Sequence, residues 1–209
     1  MLKKLLVIIF GLLFGAALSY FAIFYTPIFK ANNSNLPILN PLVAEFGQKE
    51  VIGFLPYWLL TKATKDYTKF ITTLSYYGLT IDTDGTILKL ANPQEFEPGW
   101  YALKSGKLDP FLANAKKNNL KLSLLVFSGS DSAISQLISD PITHAKNLTN
   151  SVLPIMKQYG FTDLNLDIES FSQEASDSAS ENFSRFFSTV KNEMDQQKAG
   201  TLSLDITAI

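Results

Sequence analysis

Asp163-Leu164-Asn165-Leu166-Asp167-Ile168-Glu169 places an apolar residue at every second position. A strand sends successive side chains to opposite faces, so Leu164, Leu166 and Ile168 share one face and Asn165, Asp167 and Glu169 the other. In an antiparallel sheet such a polar face simply meets water. In a parallel sheet both faces are normally covered, and burying carboxylates without partners is costly or raises their pKa values. The neighbouring segments bear on which case applies.

Residues 51–58 and 71–81 are short apolar runs that read as buried strands, the second followed by the strong turn signal Asp84-Gly85. A helical stretch over 110–118 feeds a third strand over 121–127, which Ser128-Gly129-Ser130-Asp131 breaks. Residues 141–159 carry Ala145, Leu148, Val152, Ile155 and Met156 at helical spacing and stop at Gly160. The quoted strand extends over 161–168, a long helix over 178–197, and Ala199-Gly200 introduces a fifth strand over 201–207. Strands separated by helices imply parallel pairing and an α/β class. A doubly wound sheet and an eight-stranded (β/α)8 TIM barrel both fit this alternation. A complete barrel takes about 250 residues and eight strands. With five strands before Ile209, the barrel reading predicts its N-terminal part only, with exposed apolar edges.

Composition narrows the chemistry. The 209 residues are 46% hydrophobic, enough for a real core, and the formal net charge of −1 leaves no basic stripe for nucleic acid. Cysteine is absent and His144 is the single histidine, which removes thiolate nucleophiles and His or Cys metal clusters. Chemistry must run on carboxylates, hydroxyls and aromatics. His144, at a predicted helix start, reads as structural.

After Lys3 and Lys4, residues 5–25 carry no charge, about the 20 residues that span a bilayer's hydrocarbon core. Residues 1–25 are therefore read as a single-pass transmembrane anchor. The alternative is a cleavable signal ending near Ala17-Leu18-Ser19, and both carry the rest of the chain out of the cytoplasm. Pro27, Pro37, Pro41 and the run Asn32-Asn33-Ser34-Asn35 make residues 26–50 a linker, followed by one domain over 51–209.

The segment Gly160-Phe161-Thr162-Asp163-Leu164-Asn165-Leu166-Asp167-Ile168-Glu169 resembles the fourth-strand signature of glycoside hydrolase family 18, the chitinases and related N-acetylglucosaminidases, usually written D-G-x-D-x-D-x-E. Asp167 and Glu169 match its last two acids. Asn165 stands where many members have Asp, as in the branch that includes spore-cortex peptidoglycan hydrolases. Thr162 and Asp163 replace the opening Asp-Gly, a departure that weakens the expected relay of carboxylates below Asp167. Residues 51–58, with Gly53, Phe54, Pro56 and Trp58, are similar to the family's first strand. Thr73-Leu74-Ser75-Tyr76-Tyr77 followed by Asp84-Gly85 is similar to its second, and Ser128-Gly129 partly matches the third.

The resemblance implies hydrolysis of β-1,4-linked N-acetylglucosamine polymers, chitin or peptidoglycan, with no metal or organic cofactor required. Glu169 would act as general acid and base, with the substrate's own acetamide as nucleophile. Asp167 would orient that acetamide, and Asn165 completes the catalytic row. Among the aromatics Phe54, Tyr57, Trp58, Tyr76 and Tyr77, core packing is the plain reading for any one. As a set they suit a sugar groove. Tyr76 is taken as the first subsite contact, with Phe54 and Trp58 beside it. Asp205 falls on the polar face of the fifth strand without matching a motif. The rival reading is a non-catalytic carbohydrate-binding, chitinase-like protein on the same scaffold, a fate that usually goes with loss of the acid.

Overall fold

The computed structural model describes residues 49–169 and 177–205. The expected membrane anchor and nearly all of the linker lie outside the described residues. Among the described residues no helix is long and apolar enough to cross a membrane.

Five parallel strands form one sheet in the order β1-β2-β5-β6-β7. They are β1 (Ile52–Pro56), β2 (Thr73–Thr80), β5 (Lys121–Ser128), β6 (Asp163–Ile168) and β7 (Thr201–Asp205). Their pairing settles the parallel α/β class expected from the alternation, and their order fits a partial barrel. A short antiparallel hairpin, β3 (Leu90–Asn92) with β4 (Glu95–Phe96), follows β2. The helices are α1 (Pro98–Lys104), α2 (Asp109–Lys117), α3 (Asp131–Leu137), α4 (Pro141–Tyr159) and α5 (Asp177–Gln196).

Local chemistry sets the helix ends. Glu97 accepts from Trp100 N at 2.6 Å to start α1, Ser130 from Ala133 N at 3.2 Å to start α3, and Asp140 from Thr143 N at 3.3 Å to start α4. Gly160, at φ 81°, ends α4 in the left-handed conformation that glycine adopts without penalty. His144 has the structural role expected of it: its Nδ1 lies 2.8 Å from the Leu137 carbonyl oxygen. Its own carbonyl packs against Gly85 so closely that a Cβ there would sit 2.0 Å from the oxygen. Asn147 Nδ2 donates to Asp84 O at 2.8 Å, so the Asp84-Gly85 turn is tied to α4.

The register resolves the two faces of the sheet. Leu55, Tyr76, Leu124, Leu164 and Leu202 form one row, and with Leu122, Val126 and Leu166 they face the helices. Leu148 and Val152 of α4 and Phe186, Val190 and Met194 of α5 complete that core. Leu164 and Leu166 are fully buried, each stabilising the fold by about 2 kcal/mol relative to exposure. The opposite face carries the polar rows: Ser75-Ser123-Asp163-Thr201, then Tyr77-Leu125-Asn165-Ser203, then Phe127-Asp167-Asp205.

Tyr76 is corrected by this arrangement. It is fully buried on the helix-facing side, and its hydroxyl donates to Gly99 O at 3.0 Å. Its ring occupies the space above Gly78, where a Cβ would lie 2.3 Å from the ring carbon Cζ. A side chain held there cannot meet a sugar on the other face.

Along β1, Val51, Ile52 and Phe54 are exposed, and a groove of about 680 Å³ runs beside them, lined among others by Phe54, Leu59, Tyr67, Phe70 and Phe111. β1 and β7 bound the described sheet, and β1 is the exposed apolar edge expected of an unclosed barrel.

Candidate active site

Because β6 alternates strictly, Asn165, Asp167 and Glu169 rise as three steps on the polar face. Glu169 lies just past the strand's C-terminal end, where its backbone N–H reaches Ser128 O at 3.3 Å. This is the end of a parallel α/β sheet at which active sites assemble.

Asp163 forms the lowest step. Ser123 and Ser203 each donate to its Oδ2 at 2.7 Å, Thr201 donates to Oδ1, and Lys121 Nζ lies 3.3 Å from Oδ1. Buried and fully partnered, this carboxylate joins β5, β6 and β7. The departure from the family signature at position 163 is thus filled by a structural residue.

Asn165, one row higher, is 2% exposed. Its Nδ2 donates to both carboxylate oxygens of Asp205 at 3.1 Å, while its Oδ1 is buried with no partner among the described residues.

Asp167 occupies the next row, in register with Phe127 on one side and Asp205 on the other. It accepts a hydrogen bond from the Tyr77 hydroxyl. Partial burial raises its pKa first, and the neighbouring charges of Glu169 and Asp205 push the same way, against the Tyr77 bond. Tyr77 is itself raised by burial and by Asp167, which keeps its phenol a donor.

Above these rows lies an aromatic chain. Trp58, in the 3-10 turn Tyr57–Leu59 that follows β1, is 51% exposed and meets Tyr57 and Tyr77 edge-on at 4.9 and 5.5 Å; Tyr77 meets Phe127 at 5.3 Å. Trp58 is therefore brought to the carboxylates through Tyr77. Phe54 is not. Its register partner is Ser75, so it belongs to the Asp163 row, four residues or about 13 Å along the strands below Asp167. Sequence reasoning named Tyr77 among the groove aromatics and placed Asp205 on the polar face of the fifth strand, but gave neither a role in the site; the register puts both on the face that carries Asp167. Among the described residues no three His, Cys, Asp or Glu side chains group as a metal site.

The family model for glycosyl hydrolases family 18 matches residues 47–209. The chain belongs to glycosyl hydrolase family 18. Solved structures of similar fold include the Group IV chitinase of Ostrinia furnacalis (22% identity, TM-score 0.56, covering 77% of this chain and 44% of that one). The spore cortex-lytic enzyme SleL of Bacillus cereus is similar at 21% identity and TM-score 0.55, covering 75% of this chain and 35% of that one. A family 18 chitinase from Cycas revoluta, solved with (GlcNAc)3, is similar at 18% identity and TM-score 0.54, covering 74% and 45%. The chain spans less than half the length of each of these structures. No curated protein matches it.

Proposed function

We propose that this family 18 chain carries the acid of an enzyme that hydrolyses β-1,4-linked N-acetylglucosamine polymers, chitin or peptidoglycan, with retention. The observation that carries the reading is Asp167 on the polar face of β6 with Glu169 just past the strand's C-terminal end beside it, and Tyr77 bonded to Asp167. Glu169 protonates the glycosidic oxygen. The substrate's acetamide oxygen attacks the anomeric carbon as that bond breaks, while Asp167 orients the acetamide and balances the positive charge of the oxazolinium. Water, deprotonated by Glu169, then opens the ring and returns the proton to the enzyme. Trp58 offers a ring face for a pyranose, as suits a ligand like the (GlcNAc)3 bound by the Cycas chitinase. Residues 1–25 are proposed to anchor the protein in the cell membrane with this domain outside, or to serve as its secretion signal.

Release of product from a fluorogenic N-acetylglucosamine oligomer by the full-length protein, beside Glu169→Gln, tests this. Hydrolysis lost by at least about a thousandfold in the variant is expected. Equal activity in both removes Glu169 from the chemistry, and sugar binding without hydrolysis in either supports a carbohydrate-binding protein instead.

A further inference from the structure

Asp205 is a carboxylate that no motif assigns, yet it is built into the site from two directions. Asn165 Nδ2 reaches both of its oxygens at 3.1 Å, and the register sets it directly beside Asp167. An amide nitrogen can only donate, so a carboxylate at 205 dictates which way the Asn165 amide turns. The Asn165 oxygen is left without a partner among the described residues, at a depth where unpartnered acceptors are rare. This costly orientation is imposed by Asp205.

We propose that Asp205 is a positioning residue: pinned by the Asn165 amide in register with Asp167, it is a fixed negative charge that governs when Asp167 carries a proton. Among the described residues the groups facing Asp167 are few. Tyr77 of β2 donates to it, Glu169 follows it on β6, Asp205 flanks it from β7, and Phe127 of β5 contributes no charge. Glu169 is committed to the reaction, which leaves Asp205 as the charge free to set the proton affinity of Asp167. The pKa of Asp167 is raised by burial and then by both carboxylates, in keeping with this geometry. The inference rests on the reading of Asp167 as a charge partner in sugar hydrolysis, but its test does not require turnover.

The experiment is a carboxyl carbon NMR titration of the full chain in detergent, labelled at its aspartates, with the Asp167 signal assigned through Asp167→Asn. In Asp205→Asn, which keeps size and shape, the Asp167 midpoint should fall by about one pH unit. The exchange N165D/D205N, which keeps one carboxylate and one amide in contact, should bring it back toward the original value. If Asp205→Asn does not fold, Asp205→Ser removes the charge with less bulk and carries the same comparison. An unchanged Asp167 midpoint, or an exchange variant that titrates like Asp205→Asn, overturns the proposal. Hydrolysis that survives Glu169→Gln would sink the proposed function and leave this titration intact.

Discussion

The Tyr77 hydroxyl donates to the Asp167 carboxylate across β5, the strand that separates their own two strands, with the Tyr77 ring edge-on to Phe127. Tyr76, the preceding residue, spends its hydroxyl on Gly99 O on the other face of the sheet. Two adjacent tyrosines thus carry separable roles.

That separation is testable with matched variants. Tyr77→Phe keeps the ring contacts but removes a hydrogen bond to a charged group, worth about 2 kcal/mol, so kcat on the oligomer should fall roughly thirtyfold. Tyr76→Phe leaves a buried carbonyl without its donor and should lower the unfolding free energy by about 1–2 kcal/mol while leaving kcat unchanged. Kinetics and urea denaturation on both variants decide it. The reverse pattern would return the sugar contact to Tyr76.

Much of this was legible beforehand, because the strand positions follow from period-2 runs and the helices from period-3.6 runs. The paired acids on β6 needed only the alternation of Leu164, Leu166 and Ile168. The choice between Tyr76 and Tyr77 was not legible, since a register error of one residue exchanges the faces. The one local hint is Gly78, whose missing side chain makes room for the Tyr76 ring. Asp205 was placed on the polar face of its strand, but its pairing was not legible for a different reason: its partner Asn165 is 40 positions away in sequence, and only the β6–β7 register joins them. Helices α1 and α3 are seven residues each, too short for periodicity to reveal.

Asp163 should matter to the fold and not to the chemistry. Replacing it with Ala strands Ser123, Ser203 and Thr201 and leaves Lys121 without its buried partner. A loss of about 3 kcal/mol is expected by denaturant titration. At a temperature where the variant is still folded, kcat should match the parent within about twofold. A tenfold drop in kcat with full stability would place Asp163 in the reaction instead.

Trp58 is the exposed aromatic that reaches the carboxylates, through Tyr77. If a pyranose stacks on it, Trp58→Ala should raise KM for the oligomer about tenfold with a smaller change in kcat. Phe54→Ala, on the Asp163 row of the edge strand, should leave KM alone. Steady-state kinetics on the pair separates a sugar platform from a surface aromatic.

Asp167 also sets a pH dependence of stability, because its folded pKa is raised by burial and by Glu169 and Asp205. Between the unfolded value, about 3.9, and the higher folded value, the native state holds the proton more tightly than the unfolded chain does. The stabilisation is complete below about pH 4 and is lost as pH rises through the folded pKa. Above that window the ionised carboxylate is a net burden on the fold. Asp167→Asn, which stays neutral, should therefore unfold at a higher urea concentration than the parent at pH 7, with the advantage shrinking toward pH 4. Urea melts of both proteins from pH 4 to 8 measure the gap directly; one that stays constant would mean that Asp167 titrates alike in the folded and unfolded chains.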